Sequence, residues 1–178
     1  RTIIFGGEAL DLNSLKPWAA AYLLSFPEST EGMILDVRIY TDALRQDKTV
    51  CGLETAQEHA QAFDGLSLHD QVVLLRTTVD NMARTRDLYN QMLQAYLDRD
   101  LAGIVRTSAR TPWIEAPEVV ANFVRVLIVE RNKRMHERMR PYLEQGNALF
   151  AVGALHLTGK AGLLRALEND GYHLTRVY

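Results

Sequence analysis

The longest regular pattern in the chain is an apolar stripe between Ser67 and Asp98. It is formed by Leu68, Val72, Leu75, Val79, Met82, Tyr89, Leu93 and Tyr96, with one interruption at Arg86. Steps of three and four residues place side chains on one face of an α-helix, in the manner of a heptad repeat. An unbroken helix of this length would extend about 45 Å at 1.5 Å per residue. We therefore expect a long helical partner for it.

A second apolar stripe supplies a candidate for that partner. It predicts a helix over residues 118–142 and consists of Val120, Val124, Leu127, Met135 and Tyr142. Arg131 lies on this stripe, four residues after Leu127 and four before Met135, and Asn132 follows it directly. A guanidinium on a buried face must be paired or hydrogen-bonded, because an unpaired buried charge is costly. We expect Arg131 to have a partner, which is either a structural residue or a ligand.

Shorter patterns predict the remaining elements. Helical spacing indicates helices over residues 11–25, 33–45, 55–63 and 161–169, and runs of strand-forming residues indicate strands over 48–53, 148–152 and 172–178. Residues 1–5 are compatible with a short strand or with a helix end. The pattern predicts an α-rich α/β fold with a small mixed sheet and a long antiparallel helical pair, in a single domain over residues 1–178.

Composition and charge limit the classes of function. The chain has 47% hydrophobic and 24% charged residues, which is typical of a soluble globular protein. Its net charge of −2 argues against a nucleic-acid partner. Its apolar runs are too short to span a bilayer, and it does not begin like a signal peptide. Because it starts at Arg1 rather than at Met, we expect any signal peptide or membrane anchor in a removed upstream segment.

The first candidate for chemistry is His156. The predicted strand 148–152 runs into Gly153, and His156 follows three residues later. Functional groups collect at the carboxyl ends of strands in α/β proteins, and imidazole is both a common metal ligand and an acid or base near neutral pH. His156 is therefore a candidate metal ligand or acid/base group, or else a hydrogen-bonded histidine at a helix start. The H-x-x-x-H, H-E-x-x-H and paired-cysteine spacings that would supply further ligands do not occur.

Glu54 has a similar position directly after the predicted strand 48–53. It is either a carboxylate of the same site or a first-turn residue that favours the dipole of the following helix. The lone Cys51 is either a small hydrophobic residue or a thiol that pairs with His156. We assign structural or solvated roles to the other histidines, which are His59, His69, His136 and His173.

Several stretches resemble the TraB/GumN family, which is related to the Tiki metalloproteases. They are FAVGALHLTGKAGLLRALENDGYHLTRVY at 150–178, VERNKRM at 129–135, LKPWAAAYLL at 15–24, GLET at 52–55 and FDGLSLHDQ at 63–71. The resemblance extends over nearly the whole chain, and the segment from HLTG to GY is its most specific part.

This resemblance implies a metal-dependent, peptidase-like hydrolase with two G-x-x-H motifs. Gly153 and His156 match the second motif, so His156 is the implied ligand of a divalent metal ion. Glu54 matches an acidic residue that serves as a general base or an orienting carboxylate. Arg131 and Asn132 match an R-N pair expected to hydrogen-bond that carboxylate or a developing oxyanion.

The first of the two G-x-x-H motifs is missing from the match, and the remaining expectations depend on this. Because the first G-x-x-H has no counterpart, the chain resembles a family domain without its N-terminal motif, which alone would bind metal weakly and be inactive. We expect a peptide or protein substrate, a location outside the cytoplasm, and self-association into a homodimer that covers an exposed sheet edge. The alternative is a non-catalytic binding or regulatory module that uses the long helices as a partner surface.

Overall fold

The computed structural model describes residues 2–5, 8–11, 14–25, 34–109 and 116–177, and this part of the chain is predominantly helical. Its helices are α1 Pro17–Ser25, α2 Leu35–Arg45, α3 Ala56–Asp64, α4 Leu68–Asp80, α5 Met82–Leu97, α6 Leu101–Ala109, α7 Pro117–Val124, α8 Glu130–Gln145, α9 Ala154–Leu157 and α10 Leu163–Asn169. A π-helical segment, Arg125–Val129, joins α7 to α8. Two strands, β1 Thr2–Phe5 and β2 Glu8–Asp11, form an antiparallel hairpin. Within these ranges, a helix with the length and apolar character of a transmembrane span was not found.

The predicted α/β class with its small mixed sheet is wrong, because the described part of the chain is all-helical apart from one hairpin. Within the described ranges, residues 48–53, 148–152 and 172–177 are not paired as strands, and Tyr178 lies outside those ranges. The only sheet there is the β1–β2 hairpin, whose second strand includes Asp11, so α1 begins later than the predicted helix 11–25. Strand-forming residues do not make a sheet unless another strand takes up their backbone N–H and C=O groups. The side chains of Val50, Leu149 and Val177 are accordingly exposed.

The chain forms two compact units, and the prediction of one long antiparallel helical pair is also wrong. Residues 1–28 and 63–124 form the first unit, and residues 29–62 and 125–178 form the second. The helix predicted over 67–98 is divided at Asn81 into α4 and α5, which contact α1 and α6 within the first unit. The expected partner helix over 118–142 is also divided: its residues up to Val124 belong to the first unit, and those from Arg125 belong to the second. The single domain over residues 1–178 stays a prediction.

In the first unit, the apolar stripe used to predict the long helix is not the buried face. Gln71 and Thr78 are buried, whereas seven stripe residues are exposed, namely Leu68, Val72, Val79, Met82, Tyr89, Leu93 and Tyr96. The small side chains Ala20 and Ala21 are buried on α1, the helix that packs against α4. The buried face of α4 is therefore partly polar, and the amide of Gln71 donates to the carbonyl of Leu66.

In the second unit, α8 uses two adjacent faces. Met135 and Met139 pack with Leu163 of α10 in a buried core, which is extended by Leu53, Leu143, Phe150, Val152 and Leu167. Asn132 precedes Met135 by one helical turn and continues the buried face. The neighbouring face carries three arginines, Arg131, Arg134 and Arg138, whose side chains contact the segment Leu53–Glu58. This segment and α8 together position the candidate site.

Candidate active site

Glu54 and Arg131 form an ion pair that is largely removed from solvent. Nη2 of Arg131 lies 2.7 Å from Oε2 of Glu54, and Nε lies 3.1 Å from Oε1 and 3.0 Å from Oε2. The side chain of Glu54 is 9% exposed and that of Arg131 is 12% exposed. The expectation that Arg131 has a partner is confirmed. The pair joins positions 77 residues apart in the sequence, so it fixes the segment before α3 against α8.

Glu54 is available for this contact because the next residues complete the start of α3. Nitrogen of Thr55 donates to Oε2 of Glu58 over 2.8 Å, and nitrogen of Glu58 donates to Oγ1 of Thr55 over 3.1 Å. This reciprocal arrangement is a capping box. The acidic residue of the first turn of α3 is therefore Glu58, and Glu54 lies outside the helix.

The charge of Glu54 is set by two opposing influences. Burial disfavours the carboxylate, but hydrogen bonds and positive charges from Arg131 and Arg134 outweigh burial and hold the pKa of Glu54 below its usual value of 4.5. Glu54 is therefore ionised at neutral pH. A carboxylate with a lowered pKa accepts a proton less readily, so this environment favours an orienting role for Glu54 over that of a general base.

His59 belongs to the same cluster, although its sequence surroundings predicted a structural or solvated role. Nη2 of Arg131 lies 3.1 Å from Nδ1 of His59. Because an arginine side chain only donates, Nδ1 must accept, and the neutral ring carries its proton on Nε2. Burial and then the charge of Arg131 lower the pKa of His59, with Glu54 opposing them. The contact spans 72 residues of sequence, so local patterns gave no signal of it.

Asn132 fixes the orientation of His156. Its Nδ2 donates to the carbonyl oxygens of His156, at 3.1 Å, and Ala161, at 2.7 Å, while its Oδ1 lies 2.7 Å from Nδ1 of His156. The opposite amide orientation would direct Oδ1 at two carbonyl oxygens. Nδ1 of His156 must therefore donate, and in the neutral ring Nε2 carries the lone pair. Asn132 contacts the imidazole rather than Glu54, which differs from the role that the resemblance implied.

His156 lies on the one-turn helix α9, whose N-cap is Gly153. Its backbone nitrogen donates to the carbonyl of Gly153 over 2.9 Å, and its side chain is buried. Burial and then the charge of Arg131 lower the pKa of His156; His59 acts in the same direction and Glu54 opposes them. The structure thus brings Glu54, Arg131 and His156 into one electrostatic environment.

The other candidates have separate surroundings. Cys51 is exposed rather than buried, and its thiol raises the pKa of the Tyr142 hydroxyl. The thiol therefore interacts with Tyr142 of α8, and its pairing with His156 stays a prediction. Nε2 of His136 lies 2.8 Å from Oδ2 of Asp170, and His69 and His173 are exposed.

The donor set of the site does not make a complete metal centre. Across the described ranges, a group of three or more His, Cys, Asp or Glu side chains suited to a metal ion was not found. Nε2 of His156 has the lone pair that a ligand needs, whereas both oxygens of Glu54 accept hydrogen bonds from Arg131. A catalytic zinc site typically uses three protein ligands. The described residues therefore fit one ligand of such a site and not the whole.

Comparison with known proteins identifies the family. The model of the TraB/PrgY/gumN family matches residues 5–176. The chain belongs to this family. The resemblance drawn from the HLTG and R-N motifs is thereby confirmed.

Two curated relatives carry the same name. The chain is 26% identical over 162 residues to Metalloprotease TIKI1 of Xenopus tropicalis and 24% identical over 164 residues to Metalloprotease TIKI1 of Homo sapiens. These alignments cover 78% and 79% of the chain but 32% of each relative. The chain thus spans about a third of the length of the relatives that it matches. The search of solved structures returned no match.

Proposed function

We propose that this protein functions as a metal-dependent, peptidase-like hydrolase and that His156 acts in it through Nε2. The observation that carries the proposal is the contact between Asn132 and His156, which leaves the Nε2 lone pair of a neutral imidazole as the acceptor. A buried, oriented imidazole with a lowered pKa is suited to binding a metal or accepting a proton at neutral pH. The class of substrate, peptides or proteins, is inferred from the relatives named as metalloproteases.

Each residue of the cluster has a distinct part in this proposal. Glu54 is a positioning residue that holds the Arg131 guanidinium by a bidentate contact. Arg131 supplies a fixed positive charge, the kind of group that stabilises a developing oxyanion. Asn132 is a positioning residue for His156. A divalent metal ion would take Nε2 of His156 as one ligand, and its other ligands would come from groups beyond the described residues.

The experiment compares His156→Ala with His69→Ala in the full-length protein. Hydrolysis is measured with a fluorogenic peptide library, and bound metal is measured by mass spectrometry after gel filtration. We expect His156→Ala to lose hydrolysis and most of the metal with its circular dichroism spectrum unchanged, whereas His69→Ala retains both because His69 is exposed on α4. Full activity in a folded His156→Ala variant would refute the assignment of His156.

The second candidate function is a non-catalytic binding module, favoured by the exposed stripe of α4 and α5. Seven large apolar side chains of this stripe, distributed over α4 and α5, are exposed in the first unit. Apolar patches of this kind are typical of interaction surfaces. A full-length protein that folds, contains no metal and hydrolyses no peptide would favour this function, and Leu93→Glu would then weaken partner binding without unfolding the protein.

The expected homodimer and the location outside the cytoplasm belong to the proposal as well. Light scattering of the full-length protein at several concentrations tests the dimer, and a strict monomer would contradict it. Fractionation of cells that produce the full-length protein tests the location. Recovery only in the cytoplasmic fraction would contradict it.

A further inference from the structure

Three arginines on one face of α8 have unequal sets of partners. Arg131 donates to both oxygens of Glu54. Arg138 donates to both oxygens of Glu58, at 2.6 and 2.8 Å, and to the carbonyl of Leu53 at 2.7 Å. Arg134 lies between them, and its one hydrogen bond within the described ranges is long, 3.4 Å from its Nη2 to Oε1 of Glu54.

The remaining donors of Arg134 are poorly satisfied. Its Nε is buried and finds no hydrogen-bond partner among the residues that the structure describes. Glu54 accepts hydrogen bonds from Nε and Nη2 of Arg131, and it contacts Arg134 through Nη2 rather than through Nε. Buried donors in folded proteins are nearly always paired, so a group without a partner calls for an explanation, such as a ligand.

The charges around Arg134 also do not balance. Three guanidinium groups face two carboxylates, Glu54 and Glu58, so this cluster has a surplus of one positive charge. Both carboxylates are ionised, since arginine contacts lower the pKa of each, that of Glu58 to about 2. The side chains of Arg134 and Arg138 are 39% and 40% exposed, whereas that of Arg131 is 12% exposed. Arg138 is paired with both oxygens of Glu58, so the surplus charge falls on Arg134, which solvent can also reach.

We propose that Arg134 is a specificity-determining residue that binds a carboxylate of the substrate beside the ion pair of Glu54 and Arg131. The inference rests on the proposed peptidase-like function, which supplies the class of substrate. A planar guanidinium matches a carboxylate with two parallel hydrogen bonds, and such charge-assisted bonds are the strong ones. The carboxylate belongs to either an acidic side chain or the C-terminus of a peptide, since both present the same group.

Two pairs of peptides test the proposal by direct binding to the full-length protein. The first pair is acetyl-Ala-Ala-Ala as free acid and as C-terminal amide. The second is acetyl-Ala-Glu-Ala-amide and acetyl-Ala-Gln-Ala-amide. Binding is measured by isothermal titration calorimetry at low salt, with peptide integrity checked by mass spectrometry. We expect the wild type to bind the acidic member of one pair about tenfold more tightly than its neutral partner, as one charge-assisted contact allows.

Variants assign this preference to Arg134. Arg134→Gln should reduce the preference to within about twofold. Arg134→Lys should retain part of the preference, because lysine keeps the positive charge but lacks the planar guanidinium. Arg165→Gln removes the same charge from an exposed pair with Glu168 on α10 and should leave the preference unchanged. If Arg134→Gln does not fold, Arg134→Lys replaces it as the deciding variant.

Two results would overturn the proposal. One is a wild type that binds acidic and neutral peptides equally, and the other is a folded Arg134 variant that keeps the full preference. Hydrolysis in the His156→Ala variant is a separate measurement. Either of those two binding results therefore refutes the role of Arg134 without refuting the hydrolase, and intact hydrolysis in a folded His156→Ala variant does the reverse.

Discussion

Nη2 of Arg131 lies 3.1 Å from Nδ1 of His59, so a permanently protonated side chain holds this imidazole as a hydrogen-bond acceptor. Protonation of His59 would place two positive charges in contact and break the hydrogen bond. Burial and the charge of Arg131 lower the pKa of His59 below the value of 6.5 expected in the unfolded chain. The contact therefore links folding to pH.

The first prediction concerns stability below neutral pH. Above pH 6.5 His59 is neutral in both states, and its contribution to stability is fully present. As the pH falls below that value, the unfolded state binds the proton first, so the free energy of unfolding decreases. Urea denaturation at pH 7.5, 6.5 and 5.5 should show a smaller decrease for His59→Asn than for the wild type.

A matched control separates His59 from histidines in general. His69 is exposed on α4, so His69→Asn should keep the decrease of the wild type. Part of the decrease in the free energy of unfolding should also remain in His59→Asn, because burial lowers the pKa of His156 as well. Equal pH dependence of His59→Asn and the wild type would show that Arg131 does not hold His59 neutral.

The second prediction concerns the ion pair of Glu54 and Arg131. Glu54→Gln or Arg131→Met alone should destabilise the protein by about 3–5 kcal/mol, because each leaves an unpaired charge with little exposure. The double variant should lose less stability than the sum of the losses of the two single variants. A double-mutant cycle of urea denaturation should give a coupling free energy of about 1–3 kcal/mol. Arg134 lies near Glu54 and should reduce the cost of Arg131→Met.

An exposed pair on α2 gives the reference for that cycle. Arg38 and Asp42 are 63% and 37% exposed and lie one helical turn apart. Their coupling should not exceed about 0.5 kcal/mol, as is typical of exposed helical pairs. Similar couplings in the two cycles would mean that burial adds nothing to the contact between Glu54 and Arg131.

The third prediction concerns Asn132. Asn132→Ala removes one acceptor from Nδ1 of His156 and two donors from the carbonyls of His156 and Ala161. Loss of partners for buried polar groups costs about 1–3 kcal/mol, and loss of the residue that orients a functional imidazole typically costs about 10–100-fold in activity. Urea denaturation and kcat/KM measure the two effects. Asn90 lies at an exposed position of α5, so Asn90→Ala should change neither stability nor kcat/KM. An unchanged kcat/KM in a folded Asn132→Ala variant would refute the positioning role of Asn132.

The helices and the need for a partner at Arg131 could be predicted from the sequence, because both depend on local spacing. A cation on an apolar stripe is by itself enough to indicate a contact. The sheet could not be predicted in the same way, since strand pairing depends on residues distant in sequence. The burial of the long helix was wrong for a related reason: spacing defines a face of α4, but packing against an element distant in sequence, α1, decides which face is buried.

The candidate site was only partly predictable. The segment Thr55 to Glu58 has the T-x-x-E pattern of a capping box, a signal that would have separated Glu54 from the helix start. The spacing of Arg131, Arg134 and Arg138 could also have indicated one charged face of a helix. The contacts of His59 and Asn132 required the folded chain, because they join residues 72 and 24 positions apart.

The fourth prediction contrasts two glycines near His156. A Cβ at Gly162 would lie 2.6 Å from the carbonyl oxygen of Leu157 and closer still to that of Thr158, so backbone atoms would have to move. A Cβ at Gly153 would lie 3.6 Å from Cδ2 of His156, an ordinary contact, and φ of Gly153 is −59°. Gly162→Ala should therefore destabilise the protein by about 1–3 kcal/mol, whereas Gly153→Ala should change stability by less than about 0.5 kcal/mol.

The same two variants distinguish packing from function. Ala161 precedes Gly162, and its carbonyl accepts a hydrogen bond from Asn132, so Gly162→Ala should also disturb the contact that orients His156. Urea denaturation measures stability, and NMR spectra of ¹⁵N-labelled imidazoles report whether Nδ1 of His156 remains protonated. Equal stability of the two variants would contradict the steric argument. If Gly153→Ala loses activity while stability and the tautomer are retained, the glycine of the G-x-x-H motif is needed for the approach of a ligand rather than for the fold.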